Sequence, residues 1–227
     1  MDTIYQGELT SLGGRVRAWA DCMLVDAGVF RLVWTNFAVV VPGQLYRSNH
    51  PPPWRLASMA RRYGLRTIVN LRGMCRNGSD ALSRAQAARL GLGFIDAPLS
   101  SGRAPRRDQL LALVAALSTA PRPILVHCKS GADRAGFAAA LYLVLHGETV
   151  AAAMRQLSLR FGHMRSSRTG MMDALLRRYS REAEGRKPFV AWVREDYDQA
   201  ALATEFRPTG LSARLADFIT HRLLRRE

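Results

Sequence analysis

Pro123-Ile124-Leu125-Val126-His127-Cys128-Lys129-Ser130-Gly131-Ala132-Asp133-Arg134-Ala135-Gly136-Phe137 reads as a buried strand, a tight loop and a helix. Ile124 to Val126 form the β-branched and aliphatic run that a covered parallel strand requires, and Ala135 to Leu145 are apolar and rich in helix formers. Between them lie seven residues that begin with Cys128 and end with Arg134. A loop wound at a helix N-terminus aims several backbone N–H groups at one point, and the helix dipole adds partial positive charge there, so a phosphate dianion binds well. Gly131 lets the loop curl, and Lys129, Ser130, Ala132 and Asp133 complete it. Arg134, at the start of the helix, offers a planar fork for two phosphate oxygens. The same field favours a thiolate at Cys128, which puts a nucleophile beneath the bound phosphorus.

Strands and helices alternate outward from this turn. Phe37 to Val41 and Gln44 to Arg47, joined by Pro42-Gly43, read as an edge hairpin, and Asn49-His50-Pro51-Pro52-Pro53 as a rigid linker. A helix from about 54 to 63 ends at Gly64, and a strand follows at 67–71. A helix at about 79–90, capped by Ser79 or Asp80, leads to a strand at 93–97 and a helix at about 107–118. Beyond the helix at about 135–146 the chain is mostly helical, with expected segments at 150–160, 169–184 and 211–226. The pattern predicts an α/β three-layer sandwich, a central mostly parallel sheet flanked by helices, with extra N- and C-terminal helices and ligands bound at the carboxyl ends of the strands. The expected partition is a helical extension over 1–36, a catalytic domain over 37–165 and a second helical extension over 166–227.

At these residues HCKSGADRAG resembles the His-Cys-x5-Arg signature of the cysteine-dependent protein tyrosine and dual-specificity phosphatases, most closely the bacterial dual-specificity-like branch. The resemblance implies that Cys128 forms a phosphocysteine, that Arg134 and the loop amides hold the phosphoryl oxygens, and that buried His127 tunes the thiolate. It also implies an aspartate proton donor about thirty residues upstream. Asp96, 32 residues before Cys128, fits that count, with Ser100 or Ser101 at the same loop and Asp133 inside the phosphate loop as alternatives. Asp108 reads as a first-turn residue of the next helix. Related phosphatases imply a protective disulfide partner for Cys128, for which Cys75 is the candidate; a plain loop cysteine is the competing reading. One position departs from the family: Ala135 stands where a Ser or Thr hydroxyl usually hydrogen-bonds the thiolate.

The chain has 227 residues and a formal charge of +15, and all but Lys129 and Lys187 of its 33 basic residues are arginine. This charge favours anionic partners: a phosphorylated protein, an anionic phospholipid substrate, or peripheral contact with an anionic membrane. The basic residues are scattered and no nucleic-acid motif or zinc spacing accompanies them, so neither specific nucleic-acid binding nor a metal or other cofactor is expected. Arg72 and Arg103, and the cluster Arg160, His163, Arg165 and Arg168, are candidate anion contacts or solvated charges. Residues 11–34 read as one amphipathic helix, packed on the catalytic domain or lying on anionic lipid; Asp21 and Asp26 weigh against lipid. Three cysteines without a disulfide framework and an N-terminus studded with acidic and basic residues lead to a cytoplasmic expectation, at most peripheral to the inner membrane surface. The expected activity is metal-free hydrolysis of phosphomonoesters, with protein phosphotyrosine the default substrate and dual specificity open. Two alternatives remain: a lipid phosphatase at the membrane surface, and a non-catalytic phosphate-binding pseudophosphatase.

Overall fold

A computed structural model describes residues 3–5, 7–26, 29 and 33–206. Five strands form one sheet in the order β1-β2-β5-β3-β4, with β1 (Ala38–Val41), β2 (Leu45–Ser48), β3 (Thr67–Asn70), β4 (Gly93–Asp96) and β5 (Ile124–His127). Only the β1–β2 hairpin is antiparallel; β2, β5, β3 and β4 run parallel. The strand before the cysteine loop is central, and all four of its residues are buried, as are those of β2 and β3 beside it.

Helices cover both faces. α2 (Pro53–Tyr63) and α3 (Gly78–Arg89) pack on one face, where Leu56, Met59 and Ala87 meet Tyr46, Ile68 and Leu125. On the other lie α4 (Arg107–Thr119), α5 (Arg134–Leu145), the single turn α6 (Val150–Ala153), α7 (Met171–Glu182), α8 (Phe189–Glu195) and α9 (Gln199–Glu205). This is the larger core, in which Leu113, Leu117, Val126, Phe137, Leu141, Leu175 and Trp192 are at most 0% exposed. The fold is therefore the expected three-layer sandwich. Because period-2 alternation sends successive strand side chains to opposite faces, it also assigns each residue of a strand to one of these two cores.

Several elements differ from the sequence reading. α1 spans Leu12–Ala20 and passes into a π-turn, Asp21–Val25, rather than continuing unbroken; residues 27, 28 and 30–32 of the expected helix lie outside the described residues, as does the helix expected at 211–226. The cap of α3 is Asn77, whose side chain accepts from the Asp80 N–H, so Ser79 and Asp80 sit inside the first turn. The helix expected over 150–160 stops after one turn and continues as short 3-10 turns at Met154–Gln156 and Leu159–Phe161. There the Gln156 carbonyl accepts from Arg47 at 2.6 Å instead of from a helical N–H. Asn49 and His50 are buried against the cysteine loop, and only from Pro53 does the supposed linker become helix.

Candidate active site

β5 ends at His127, and the chain turns through Cys128–Asp133 before α5 begins at Arg134. Cys128 is 2% exposed, and its Sγ accepts a hydrogen bond from the Gly131 N–H at 3.2 Å. That bond shows the loop curled with an amide turned inward over the sulfur, the geometry an oxyanion cradle needs. Gly131 has φ of +76°, and a Cβ there would lie 2.6 Å from the Asn49 nitrogen, so both backbone conformation and space demand glycine. Ser130 Oγ accepts from the Ala132 N–H at 3.4 Å.

With amides turned in, loop carbonyls turn out, and each needs a donor. Arg47, on β2, supplies two of them. Its Nη2 donates to Gly131 O at 2.6 Å and to Ala132 O at 3.1 Å, its Nη1 to Gln156 O and Oε1, and its guanidinium lies 3.9 Å from the centroid of the Phe161 ring. Burial pulls the Arg47 pKa down to about 10, while the nearby Cys128 and Asp133 charges pull it back up. Gly136 keeps the space open: a Cβ there would meet Gln156 O at 2.7 Å and Arg47 Nη2 at 3.2 Å. From the segment preceding β1, Asn36 Nδ2 donates to Ser130 O at 3.0 Å and Phe161 O at 2.9 Å. His50 N donates to Lys129 O at 3.3 Å.

Asp133, at the far end of the loop, is 3% exposed and bonded at 2.8 Å to His163 Nδ1. The other ring nitrogen of His163 bonds Asp173 of α7, and Arg165 Nε closes the chain on Asp173 at 3.0 Å. Carboxylates only accept, so both ring nitrogens of His163 carry protons and the ring is an imidazolium. Burial pushes its pKa down, but the hydrogen bonds and charges of Asp133 and Asp173 outweigh this and raise it to about 9. The expected anion-binding cluster of Arg160, His163, Arg165 and Arg168 thus divides. His163 is internal, Arg165 pairs with the other oxygen of Asp173, and Arg160 lies over Phe161.

Asp96 is not brought to the loop. It ends β4 on the face of α2 and α3, where Arg84 Nη2 donates to both its oxygens at 2.9 and 2.8 Å and Asn70 Nδ2 donates at 3.0 Å. Cys128 belongs to the opposite core with Ala97 and Leu99, so the one-residue parity that sends Ala97 into that core turns Asp96 to the other face. Leu99 O instead faces Arg134, whose Nη1 donates at 3.4 Å, and Ser101 is buried. Asp108 pairs with Arg106 at the surface. Cys75 is a thiol, not a disulfide, directed at the Arg72 and Gly73 carbonyls. Arg72 is a buried partner of Asp26 rather than a solvated charge. His127 is fully buried, with its ring edge against His50 at 4.6 Å between centroids.

Residues 34–189 match the Swiss Army Knife protein family, DSP-PTPase phosphatase domain. The chain belongs to this family. It is a cysteine-dependent phosphatase of the tyrosine and dual-specificity type. The same fold occurs in the crystal structure of TpbA from P. aeruginosa, 23% identical with a TM-score of 0.50 over 75% of this chain and 89% of that one. It occurs also in the catalytic domain of the PP-IP phosphatase SIW14 from S. cerevisiae, 23% identical with a TM-score of 0.51 over 66% and 85%. No curated protein is significantly similar in sequence. Arg47 and Asn36 are the parts of this DSP-PTPase site that sequence reasoning missed, and His163, read there as a candidate anion contact, is instead the partner of Asp133. The one local signal was an arginine in a strand directly after Leu45 and Tyr46, which marks Arg47 as unusual without naming its partners.

Proposed function

We propose that this phosphatase hydrolyses phosphotyrosine on proteins through a phosphocysteine at Cys128, with no metal ion in the reaction. The Cys128 thiolate attacks phosphorus, an S–P bond forms as the P–O bond to the tyrosine breaks, and water then cleaves the S–P bond to release inorganic phosphate. The loop amides and the Arg134 fork hold the equatorial oxygens in both steps. The observation that carries this reading is the Gly131 N–H on Cys128 Sγ at 3.2 Å, in a loop whose carbonyls are tied back by Arg47.

Two features support phosphotyrosine. The nucleophile is 2% exposed, which favours a phosphate carried on a long, stiff side chain. Both expected proton donors are also engaged by cations, Asp96 by Arg84 and Asp133 by His163. With both carboxylates committed to these pairs, neither is placed to hand a proton to a leaving group, so the chemistry favours one that departs with little help. Tyrosine, with a pKa of about 10, is such a group, and an alkyl alcohol is not.

A phospholipid substrate is the second reading, supported by the N-terminal helix, which leaves Leu12, Val16 and Leu24 60–78% exposed beside a chain of charge +15. The test is turnover of phosphotyrosine peptide, phosphoserine peptide and phosphoinositide in anionic vesicles by wild type and Cys128→Ser, with chelator throughout and acid-quenched intact mass recorded. The expected result is phosphotyrosine turnover in wild type alone, with a phosphoryl adduct that Cys128→Ser lacks. Faster turnover of the vesicle lipid would replace the substrate assignment, and activity retained in Cys128→Ser would overturn the mechanism.

A further inference from the structure

Asp26 lies in the N-terminal extension, at the end of the π-turn that follows α1, yet its carboxylate is buried beside the phosphate loop. The π-turn explains how it gets there. Asp26 N donates to Asp21 O at 2.9 Å, a five-residue repeat that brings Asp21 and Asp26 to one side of the chain, as the tighter α-helix would not. Asp21 is the anchor. Its Oδ2 accepts from the Gly78 N–H at the start of α3 at 2.6 Å, and its Oδ1 accepts from Thr3 and Ile4 at 2.9 Å.

Asp26 is then held by two cations of different origin. Arg72, which follows β3, donates from Nη1 and Nη2 to the two carboxylate oxygens at 2.9 Å each, and its own side chain is 0% exposed. Lys129, immediately after the nucleophile, reaches Asp26 Oδ1 at 3.4 Å. Arg72 is fixed in turn by His50 Nδ1, 3.2 Å from its Nη1, and by its N–H on Asn70 Oδ1 at 3.1 Å. The result is a rigid, bidentate carboxylate receptor at the carboxyl ends of β3 and β5, where open α/β sheets bind ligands, and one of its two cations belongs to the catalytic loop. The group occupying it is an aspartate presented at the end of the π-turn.

We propose that Arg72 and Lys129, backed by His50, form a subsite for an acidic side chain flanking the phosphotyrosine of a protein substrate, and that Asp26 is an internal occupant which such a substrate displaces. This rests on the phosphotyrosine reading and adds to it a sequence preference. The N-terminal extension is thereby a competitor for the site: a ligand with the flanking acid gains the Arg72 fork, and one without it leaves Asp26 in place.

The test compares three phosphotyrosine peptides of equal length, with Asp, Ala or Lys at the positions adjacent to the phosphotyrosine, on the full chain. Wild type should prefer the acidic over the alanine peptide about tenfold in kcat/KM, a difference of ~1.4 kcal/mol, with the lysine peptide poorest and the preference shrinking as salt rises. Asp26→Asn should lower KM for the acidic peptide several-fold and shift the alanine peptide less. Arg72→Gln should bring the acidic and alanine peptides to equal kcat/KM; if Arg72→Gln does not fold, the salt-sensitive preference of wild type and its increase in Asp26→Asn decide the matter. Equal turnover of all three peptides by wild type would overturn the subsite, as would an Asp26→Asn protein that loses thermal stability while its acidic-to-alanine ratio stays that of wild type. Turnover of a generic aryl phosphate but of none of the peptides would overturn the phosphotyrosine reading, and the subsite with it.

Discussion

Replacing His163 by Gln removes one positive charge from between two buried carboxylates, and the consequence has a defined size and pH range. In the folded protein the ring's pKa rises from its ordinary 6.5 to about 9. At ~1.4 kcal/mol per unit this shift represents about 3 kcal/mol of folding stability. The folded pKa is the higher one, so the contribution is fully present below about pH 6.5 and is lost as the pH climbs through about 9. Near neutrality His163→Gln should therefore unfold at a temperature roughly 6–12 °C below wild type. That gap should narrow steadily above pH 6.5 and nearly close by about pH 9.5. Thermal melts of both proteins across pH 6–10 measure it, and because Cys128 and every other group are common to both, only the difference matters. A gap that keeps one value across the range would refute the imidazolium assignment. Activity adds a second readout. Asp133 immediately precedes Arg134, so loosening it should raise the KM for an aryl phosphate more than it lowers kcat at pH 7, while a mere loss of folded protein would lower the rate and leave KM alone.

Arg47→Met keeps the bulk of the side chain but strands the Gly131, Ala132 and Gln156 carbonyls; it should cost about 2–4 kcal/mol and weaken inhibition by inorganic phosphate roughly tenfold or more. Chemical denaturation and phosphate inhibition check the two effects. Asp96→Asn breaks a pair with Arg84 in which both side chains are partly exposed, so stability should change by less than about 1 kcal/mol. Its kcat on aryl and alkyl phosphates should fall together by no more than roughly twofold, against the 10²–10⁴ typical of a lost general acid; a selective fall on the alkyl ester would restore Asp96 as the proton donor. Ala135 is fully buried and brings no hydroxyl to the sulfur, so breakdown of the phosphocysteine should limit kcat and give a burst of aryl alcohol. Ala135→Ser should shrink that burst and raise kcat about tenfold, as one added hydrogen bond to a thiolate leaving group allows; an unaltered burst would show that the first step is limiting.

The parts of this molecule legible in the sequence are those whose causes are local. A buried strand, a glycine at positive φ and an arginine at a helix start lie within fifteen consecutive residues, and reading them in order gives the cradle. The alternation of strands and helices likewise gives the parallel sheet, since each element carries its own period. What failed was geometry that counting cannot see. Asp96 has the right number of residues before Cys128, but its side of the strand is set by parity: Phe94 and Asp96 share the face of α3, and Arg84 lies over both. That much was available in the sequence, from the rule that alternate residues share a face, had parity been weighed against count. Arg47, by contrast, bonds a carbonyl 84 residues away, and His163 a carboxylate 30 away. No local pattern marks such partners, because their value exists only once the loop is folded beneath them.

The same comparison explains why this loop can afford so few side chains of its own. Its catalytic surface is backbone, and backbone amides converge on one point only if the carbonyls between them are satisfied elsewhere. Three separate groups do this: Asn36 from the segment before β1 holds Ser130 O, Arg47 from β2 holds Gly131 O and Ala132 O, and the His50 N–H beyond β2 holds Lys129 O, while His163 with α7 behind it holds the Asp133 carboxylate. All of these supports come from outside the loop and belong to the folded protein itself. The cradle is therefore assembled before any ligand arrives, so binding a phosphoryl group costs little reorganisation, and the field that stabilises the transition state is present from the start. It also follows that substitutions far from the cysteine can weaken phosphate affinity without altering a single group that contacts phosphate, and those lying on these three supports should do so most.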